Sequence, residues 1–171
     1  MLTISLCCTG CFQKTTSWEK GLAPLRDLSQ VDIFKSAKAP AVLVNDYDSI
    51  FKPAEKEALT RLLINYEDNT SRQIVIVTVH HLYDYQDIQR LATDLGNYWG
   101  VGQTEEDNGL LLLLCKPERQ IAIATGLGTE QVLTDSICKR VIDHHMIPYF
   151  KEEAYFKGIQ EGVLTLISRW K

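Results

Sequence analysis

Oxygen-bearing side chains are concentrated in one stretch of this sequence, between residues 107 and 135. Asp107 and Asn108 precede five consecutive leucines, and Glu130 and Asp135 lie in and after a glycine-containing loop. Carboxylate and amide oxygens are the ligands that Ca²⁺ and Mg²⁺ prefer. The same residue types also cap helices and form turns, Asp135 as a helix N-terminal acid and Asp107-Asn108 in a loop. A cation site and local capping are therefore both open on the residues alone.

A bound cation would give hydrolysis a chemical route. It would polarise a phosphoryl oxygen and acidify a bound water, and a free carboxylate of Glu130 or Asp135 would act as the base. These two residues are therefore the catalytic candidates, without an assigned role. The sequence has no recognisable phosphatase nucleophile motif, because Cys115 and Arg119 are wrongly spaced for a cysteine-phosphatase loop.

Other groups that bind metals or cofactors are less informative. The histidines form two adjacent pairs, 80–81 and 144–145. Neighbours in a strand or helix point in different directions, so we expect surface positions and not a transition-metal site. Gly126-x-Gly128 lacks the third glycine of a dinucleotide fingerprint, so no organic cofactor is predicted. Cys115 in an apolar run is expected to be a small buried hydrophobe, with a disulfide to Cys138 as the alternative in an oxidising compartment.

A β-hairpin is predicted to position the acidic residues. Two apolar runs, 110–115 and 120–125, flank a short polar segment that contains Pro117. A turn centred on Pro117 and Glu118 brings Asp107 and Asn108 opposite Leu127 and Gly128. The acidic groups then lie at the open end of the hairpin.

The remaining elements are helices and strands in alternation. We expect a short strand at 42–44, a helix from Pro53 to about Glu67, a buried strand at 74–79 and a helix that ends near Gly100. After the hairpin come a helix from about Asp135 to Tyr149, broken or kinked at Pro148, and a last helix from Tyr155 to Trp170. The predicted fold is α/β: a single mixed sheet containing the hairpin, with helices on both faces in an α/β/α sandwich.

Composition sets limits on the partners. The chain has 171 residues, of which 45% are hydrophobic and 23% charged, as in an ordinary soluble domain with extensions. Its 18 basic residues are scattered among 22 acidic ones, which argues against nucleic acid as the main partner. A monomer is expected.

The N-terminal region is predicted to lie outside the domain, which spans residues 42–171. Residues 1–11 end in Thr9-Gly10-Cys11 and resemble a truncated lipoprotein or export signal, although Cys8 and the lack of a basic segment depart from that pattern. Residues 12–41 are expected to form a tether. An extracytoplasmic location, with anchoring through Cys11, follows from this interpretation, and a cytoplasmic location is the alternative.

A set of ordered motifs resembles the TPM domain family, also called TPM-phosphatase or DUF477. The motifs include Val44-Asn45-Asp46-Tyr47, Trp99-Gly100-Val101-Gly102, Asp107-Asn108-Gly109, Gly126-Leu127-Gly128-Thr129-Glu130 and Leu133-Thr134-Asp135. The likeness extends from Val42 to the C-terminus. The family usually has Gly-Tyr-Gly-Leu-Glu-Gly in the glycine loop, so Leu127, Thr129 and Gln131 are departures.

The resemblance implies a cell-envelope domain that binds a divalent cation, with Ca²⁺ as the first expectation and Mg²⁺ as the second. It adds Asp46 to Asp107, Asn108, Glu130 and Asp135 as metal ligands. It also implies acid phosphatase activity on phosphomonoesters, as in a plant thylakoid member, and an accessory role in membrane protein complexes, as in other relatives. Both functions are carried forward as alternatives.

Overall fold

The computed structural model describes residues 11–12, 42–103 and 105–171, and these form one mixed five-stranded sheet with helices packed around it. The strands are β1 (Cys11–Phe12), β2 (Val44–Asp46), β3 (Gln73–Val79), β4 (Gly109–Cys115) and β5 (Gln120–Gly126), in the order β1-β5-β4-β3-β2. The helices are α1 (Pro53–Thr70), α2 (Ile88–Trp99), α3 (Leu127–Glu130), α4 (Asp135–Val141), α5 (Ile147–Lys151) and α6 (Tyr155–Arg169).

The two central strands are covered on both faces. All seven residues of β4 are buried, and so are six of the seven residues of β3. Continuous burial of this kind requires helices above and below the sheet. Strands β2, β3 and β4 run parallel, and only the β4–β5 pair is antiparallel. The predicted α/β sandwich with a hairpin in its sheet is confirmed.

The hairpin has the predicted register. Leu110 pairs with Thr125 and Cys115 with Gln120, so the turn occupies residues 116–119. Continuing this register by three residues from the Leu110–Thr125 pair sets Asp107 opposite Gly128, as the sequence predicted. The prediction succeeds because the polar segment is short and the apolar runs have equal length.

Helices α1 and α2 begin at the predicted signals and α2 ends at the predicted Gly100, whereas α1 continues three residues past the predicted Glu67, to Thr70. Pro53 occupies the first turn of α1, where its missing N–H costs nothing. Lys52 precedes it without a side-chain cap, and its backbone N–H donates instead to the Glu55 carboxylate at 2.8 Å. Asp87 caps α2 by accepting from the Gln89 N–H, and Gly100 ends that helix in the left-handed region with φ 63°.

The first strand and the third helix differ from the predictions. Strand β2 covers 44–46 and not 42–44, so Asp46 is the last residue of a strand. The helix expected over 135–149 consists of α4, a π-helical turn over Ile142–Met146, and α5. Pro148 has no N–H with which to continue the ordinary helical pattern, and the wider turn immediately before it accommodates that loss.

Several predictions concern the N-terminus and the cysteines. The predicted signal and tether lie outside the described residues, apart from Cys11 and Phe12, which pair in parallel with Thr125 and Gly126. Among the helices that the structure describes, none has the length and apolarity to cross a membrane. Cys115 and Cys138 are buried and free, so the alternative of a disulfide between them is wrong.

Candidate functional site

Three polar residues lie side by side just beyond the carboxyl ends of the parallel strands. They are Asp48, His80 and Lys116. Each comes two positions after a residue of one row across β2, β3 and β4, formed by Asp46, Thr78 and Leu114. Crevices at the carboxyl ends of strands are the usual place for ligands in α/β proteins. We call this end of the sheet the carboxyl edge.

An open cleft lies at the carboxyl edge, with a volume of about 470 Å³. It is lined by residues from four loops: Asp48, Ser49, Ile50, His80, Lys116, Pro117, Arg119, Glu153 and Tyr155. A smaller cavity of about 120 Å³ adjoins it, shares Lys116, Arg119, Glu153 and Tyr155, and adds Lys151 to the wall. The combined space fits a small-molecule ligand.

An aspartate–histidine pair forms one wall of the cleft. His80 Nδ1 lies 2.6 Å from Asp48 Oδ1. The Asp48 side chain is only 11% exposed, whereas that of His80 is 73% exposed. The Asp48 backbone N–H donates to Thr78 Oγ1 at 3.3 Å, which ties the Asp48 loop to the end of β3. The imidazole is therefore held through one nitrogen and presents the other to solvent.

Basic side chains from the hairpin turn form another part of the cleft lining. Lys116 Nζ lies 4.9 Å from the centre of the Tyr155 ring. Within the described residues, neither Lys116 nor Arg119 has a carboxylate within ion-pairing distance. Cations without a fixed counter-charge are suited to holding an anionic ligand.

Tyr155 remains a hydroxyl donor in this setting. Burial raises the pKa of its phenol, the nearby Glu153 carboxylate raises it further, and Arg119 partly opposes both effects. Phe150 stacks on the Tyr155 ring with centroids 5.2 Å apart, which holds the ring in the wall. The cleft therefore offers an O–H group beside two cations.

The loops around the cleft contain unusual backbone conformations. Ser49, Arg119 and Glu153 all line the cleft and all have positive φ, at 52°, 54° and 58°. Such conformations are unfavourable for residues other than glycine and are frequently concentrated at binding sites. The surrounding fold therefore holds the loops that carry Ser49, Arg119 and Glu153 in these conformations.

The hairpin's open end, formed by residues 106–109 and 126–130, is organised differently. Asn108 is buried and makes three hydrogen bonds: Oδ1 accepts from the Gln103 N–H at 2.8 Å, and Nδ2 donates to the Ser71 carbonyl at 2.9 Å and to Glu106 at 2.6 Å. Thr129 Oγ1 donates to the Gly109 carbonyl at 3.0 Å. The Asn108 side chain therefore stabilises the loop, which is the structural role that the capping alternative gave it.

Asp46 does not belong to the open end. It lies at the carboxyl edge, five residues along the strand direction from the row that contains Gly109. At about 3.3 Å per residue this is roughly 17 Å from the open end. Its carboxylate accepts from the Ile50 and Phe51 N–H groups, each at 3.0 Å, and from Thr78 Oγ1. Asp46 shapes the loop that carries Asp48, and the structure does not bring it together with the other predicted metal ligands.

The predicted five-residue metal shell is therefore not assembled. Asp107, Glu130 and Asp135 remain near the open end, with Asp135 in the first turn of α4. In the part of the chain that the structure describes, no group of three or more His, Cys, Asp or Glu side chains is arranged to hold a metal ion. The residues do not fit a preformed Ca²⁺ cage, which needs six to eight oxygens. As candidate bases, Glu130 and Asp135 lie at the opposite end of the sheet from the cleft.

Sequence reasoning missed the carboxyl-edge cleft. His80 is exposed, as predicted, but its pairing with Asp48 was not anticipated. A signal was available: Asp48, His80 and Lys116 each follow a predicted strand. Using it requires knowing that β2, β3 and β4 are parallel neighbours, which a single sequence does not state.

Comparison with known proteins supports one family. The TPM domain model matches residues 44–169. An N-terminal domain from P. gingivalis is 31% identical, with TM-score 0.68 over 74% of this chain and 80% of that one. No curated protein matches the sequence.

Two further solved structures share the fold. The N-terminal domain of the cg2496 protein from Corynebacterium glutamicum has TM-score 0.61 at 16% identity, over 80% of this chain and 85% of that one. The BA42 protein from Bizionia argentinensis has TM-score 0.62 at 18% identity, over 73% of this chain and 88% of that one.

Proposed function

The chain belongs to the TPM domain family, and from that premise we propose that its carboxyl-edge cleft binds phosphomonoesters and supports their hydrolysis. The observation that carries the proposal is the alignment of Asp48, His80 and Lys116 directly beyond three adjacent parallel strands. The acid phosphatase activity implied by the family resemblance requires a place for a dianionic group. The cleft offers the chemistry for one.

Two features of the cleft favour a phosphate group over an uncharged ligand. Lys116 and Arg119 present up to eight N–H donors between them, and charge-assisted hydrogen bonds to phosphate oxygens are stronger than neutral ones. Tyr155 adds an O–H donor. Glu153 is the second carboxylate that lines the cleft. Its negative charge repels ligands with several adjacent phosphates, so a phosphomonoester is the preferred ligand class.

Binding of inorganic phosphate tests the site. In an NMR titration at constant ionic strength, we expect the backbone resonances of residues 80, 116 and 119 to shift. The double variant Lys116→Ala/Arg119→Ala should raise Kd at least about 10-fold through the loss of charge-assisted hydrogen bonds. The matched control, Lys139→Ala/Arg140→Ala, removes the same charge from exposed positions on α4 and should leave Kd within about 2-fold. Equal weakening by both pairs would show that binding is only nonspecific charge attraction.

A second candidate function is a cation-binding accessory module for membrane complexes. The observation in its favour is the Asp107 carboxylate, which has no hydrogen-bond partner among the described residues although the Asp107 carbonyl is held by the Thr129 N–H at 3.4 Å. One or two carboxylates suffice for a hydrated Mg²⁺, and a Ca²⁺ ion would need additional waters. Millimolar Ca²⁺ or Mg²⁺ should then shift the resonances of residues 105–108 and 130–135. Unchanged spectra at millimolar cation would contradict this candidate.

An extracytoplasmic location, anchored to the membrane through Cys11, remains part of the proposal and depends on Thr9-Gly10-Cys11. Metabolic labelling with palmitate should modify the full chain, and Cys11→Ser should abolish the label while Cys8→Ser retains it. Absence of label on the full chain would count against anchoring at Cys11.

A further inference from the structure

The pairing of His80 with Asp48 sets the chemistry that the ring can perform. Asp48 accepts from Nδ1–H at 2.6 Å, which leaves Nε2 as the ring nitrogen that can face a ligand. When both ring nitrogens carry protons, Nε2 has a proton that it can donate to a ligand. A histidine oriented by a carboxylate in this way is a common arrangement in acid–base catalysis.

We infer that His80 is the general acid of the carboxyl-edge cleft, delivering the Nε2 proton to the leaving oxygen of a bound phosphomonoester. The inference rests on the proposed function. Water attacks phosphorus as the bond between phosphorus and the ester oxygen breaks. The ester oxygen leaves with the bonding electron pair and takes the proton from His80, which gives the alcohol. The proton lost by the attacking water restores the charged imidazole, and inorganic phosphate is the other product.

The charged and polar groups around His80 have different roles. Lys116 and Arg119 line the same cleft as His80, and their cationic groups would hold the non-bridging phosphoryl oxygens. Asp48 and Glu153 are the carboxylates that line the cleft, and Asp48 is occupied by His80. Burial and Glu153 raise the pKa of Tyr155, so its phenol keeps its proton and serves as a hydrogen-bond donor. Among the side chains that line the cleft, His80 is the imidazole, the side chain most often used for general acid–base catalysis.

A general acid is identified by its dependence on the leaving group. An alkyl phosphate needs a proton on its departing oxygen, whereas a dinitrophenolate leaves without one. We expect His80→Gln to lower kcat by about 100-fold or more with the alkyl phosphate and by less than about 5-fold with dinitrophenyl phosphate. The matched control is His81→Gln. His81 is the adjacent exposed histidine, its ring lies 4.2 Å from Tyr83, and it does not line the cleft.

A second variant tests the role of the aspartate. Asp48→Ala removes the carboxylate that accepts from Nδ1–H, so the ring is no longer held in one orientation. Because orientation matters for delivering a proton to the leaving oxygen, kcat should fall by more with the alkyl phosphate than with dinitrophenyl phosphate. A purely structural role for Asp48 would lower both rates equally, and this would overturn the assignment.

The outcomes separate the inference from the proposed function. If phosphate binding depends on Lys116 and Arg119 but His80→Gln affects both esters equally or not at all, His80 is not the acid and the binding site stands. If phosphate binds and no ester is hydrolysed, the inference is overturned and the cleft is a binding site. If inorganic phosphate does not bind at the cleft, the proposed function fails and the inference fails with it.

Discussion

At the scale of single residues, the oxygen-rich side chains divide into those that hold loops and those that are open to ligands. Asn108 and Asp46 each accept or donate three hydrogen bonds within the protein. The sequence alone does not separate the two roles. An Asp or Asn that caps a turn has the same side chain as one that binds a cation, and both occur in the same kind of loop. Only the positions of the surrounding N–H groups decide between the two roles.

The hydrogen bonds of Asn108 predict a measurable stability contribution. Asn108→Ala leaves the Gln103 N–H and the Ser71 carbonyl without this partner. At about 1 kcal/mol per hydrogen bond, the free energy of unfolding should fall by about 2–3 kcal/mol in urea denaturation. Asn69→Ala is the control, because Asn69 is exposed and bonds only within its own helix, and it should change stability by less than about 0.5 kcal/mol. Equal effects would mean that the Asn108 bonds contribute nothing beyond a surface amide.

Cys115 predicts a pH dependence of stability. Burial is the main reason that the pKa of its thiol is raised from 9.0 to about 11; a backbone hydrogen bond at Glu118 partly opposes this, and the Glu118 and Asp48 charges raise the pKa further. The folded protein therefore holds the proton more tightly than the unfolded chain, and this stabilisation is present below pH 9 and is lost as pH rises toward 11. Over that interval the wild type should lose about 2 kcal/mol more unfolding free energy than Cys115→Ala. Parallel pH profiles for the two proteins would contradict the raised pKa.

At the scale of elements, local signals determined most of what was predictable. The hairpin register, the caps of α2 and the proline at the start of α1 all follow from residues within a few positions of one another. The π-helical turn over Ile142–Met146 was not predicted. Pro148 indicates a break in the helical pattern, but the sequence does not show that Met146, the last residue of the turn, packs against Gly162 of α6.

The glycines illustrate the same distinction between local and tertiary causes. A Cβ on Gly126 would lie 2.0 Å from the Asp107 carbonyl oxygen, and one on Gly162 would lie 2.0 Å from the terminal methyl of Met146. A backbone carbonyl fixed in the open end cannot move aside, whereas the end of a methionine side chain can adopt another rotamer.

Alanine substitutions should therefore have unequal effects. We expect Gly126→Ala to lower the unfolding free energy by about 3 kcal/mol or more and Gly162→Ala by about 1 kcal/mol, measured by thermal and urea denaturation. Gly162→Ala also gains helix propensity, which partly offsets the repacking. A larger loss for Gly162→Ala than for Gly126→Ala would show that Met146 is the more rigid neighbour.

At the scale of the whole molecule, the sheet separates two regions that the sequence had combined. The resemblance placed Asp46 with Asp107, but the parallel pairing of β2 with β3 and of β3 with β4 sets them at opposite ends of the sheet. Strand order and direction arise from long-range packing, so no spacing in the sequence reveals them. The same topology brings Asp48, His80 and Lys116 together, which is why the cleft emerged only from the structure.

This separation predicts that the two ends bind ligands independently. The carboxyl edge and the open end are about 17 Å apart along the strands, and the described residues link them mainly through the buried β3 and β4. Substitutions that far apart, without shared partners, have nearly additive effects on free energy. Asp107→Ala/Asp135→Ala should therefore change the Kd of inorganic phosphate by less than about 2-fold in the NMR titration.

The reverse measurement completes the test. Lys116→Ala/Arg119→Ala should abolish the phosphate response at residues 80, 116 and 119, while millimolar Mg²⁺ still shifts residues 105–108 to the wild-type extent. Independence is expected because a ligand alters a distant site only when it binds two conformations of the protein unequally, and the fully buried β4 offers a single packed arrangement. A 10-fold change in phosphate Kd on cation addition, at constant ionic strength, would instead require about 1.4 kcal/mol of coupling through the sheet.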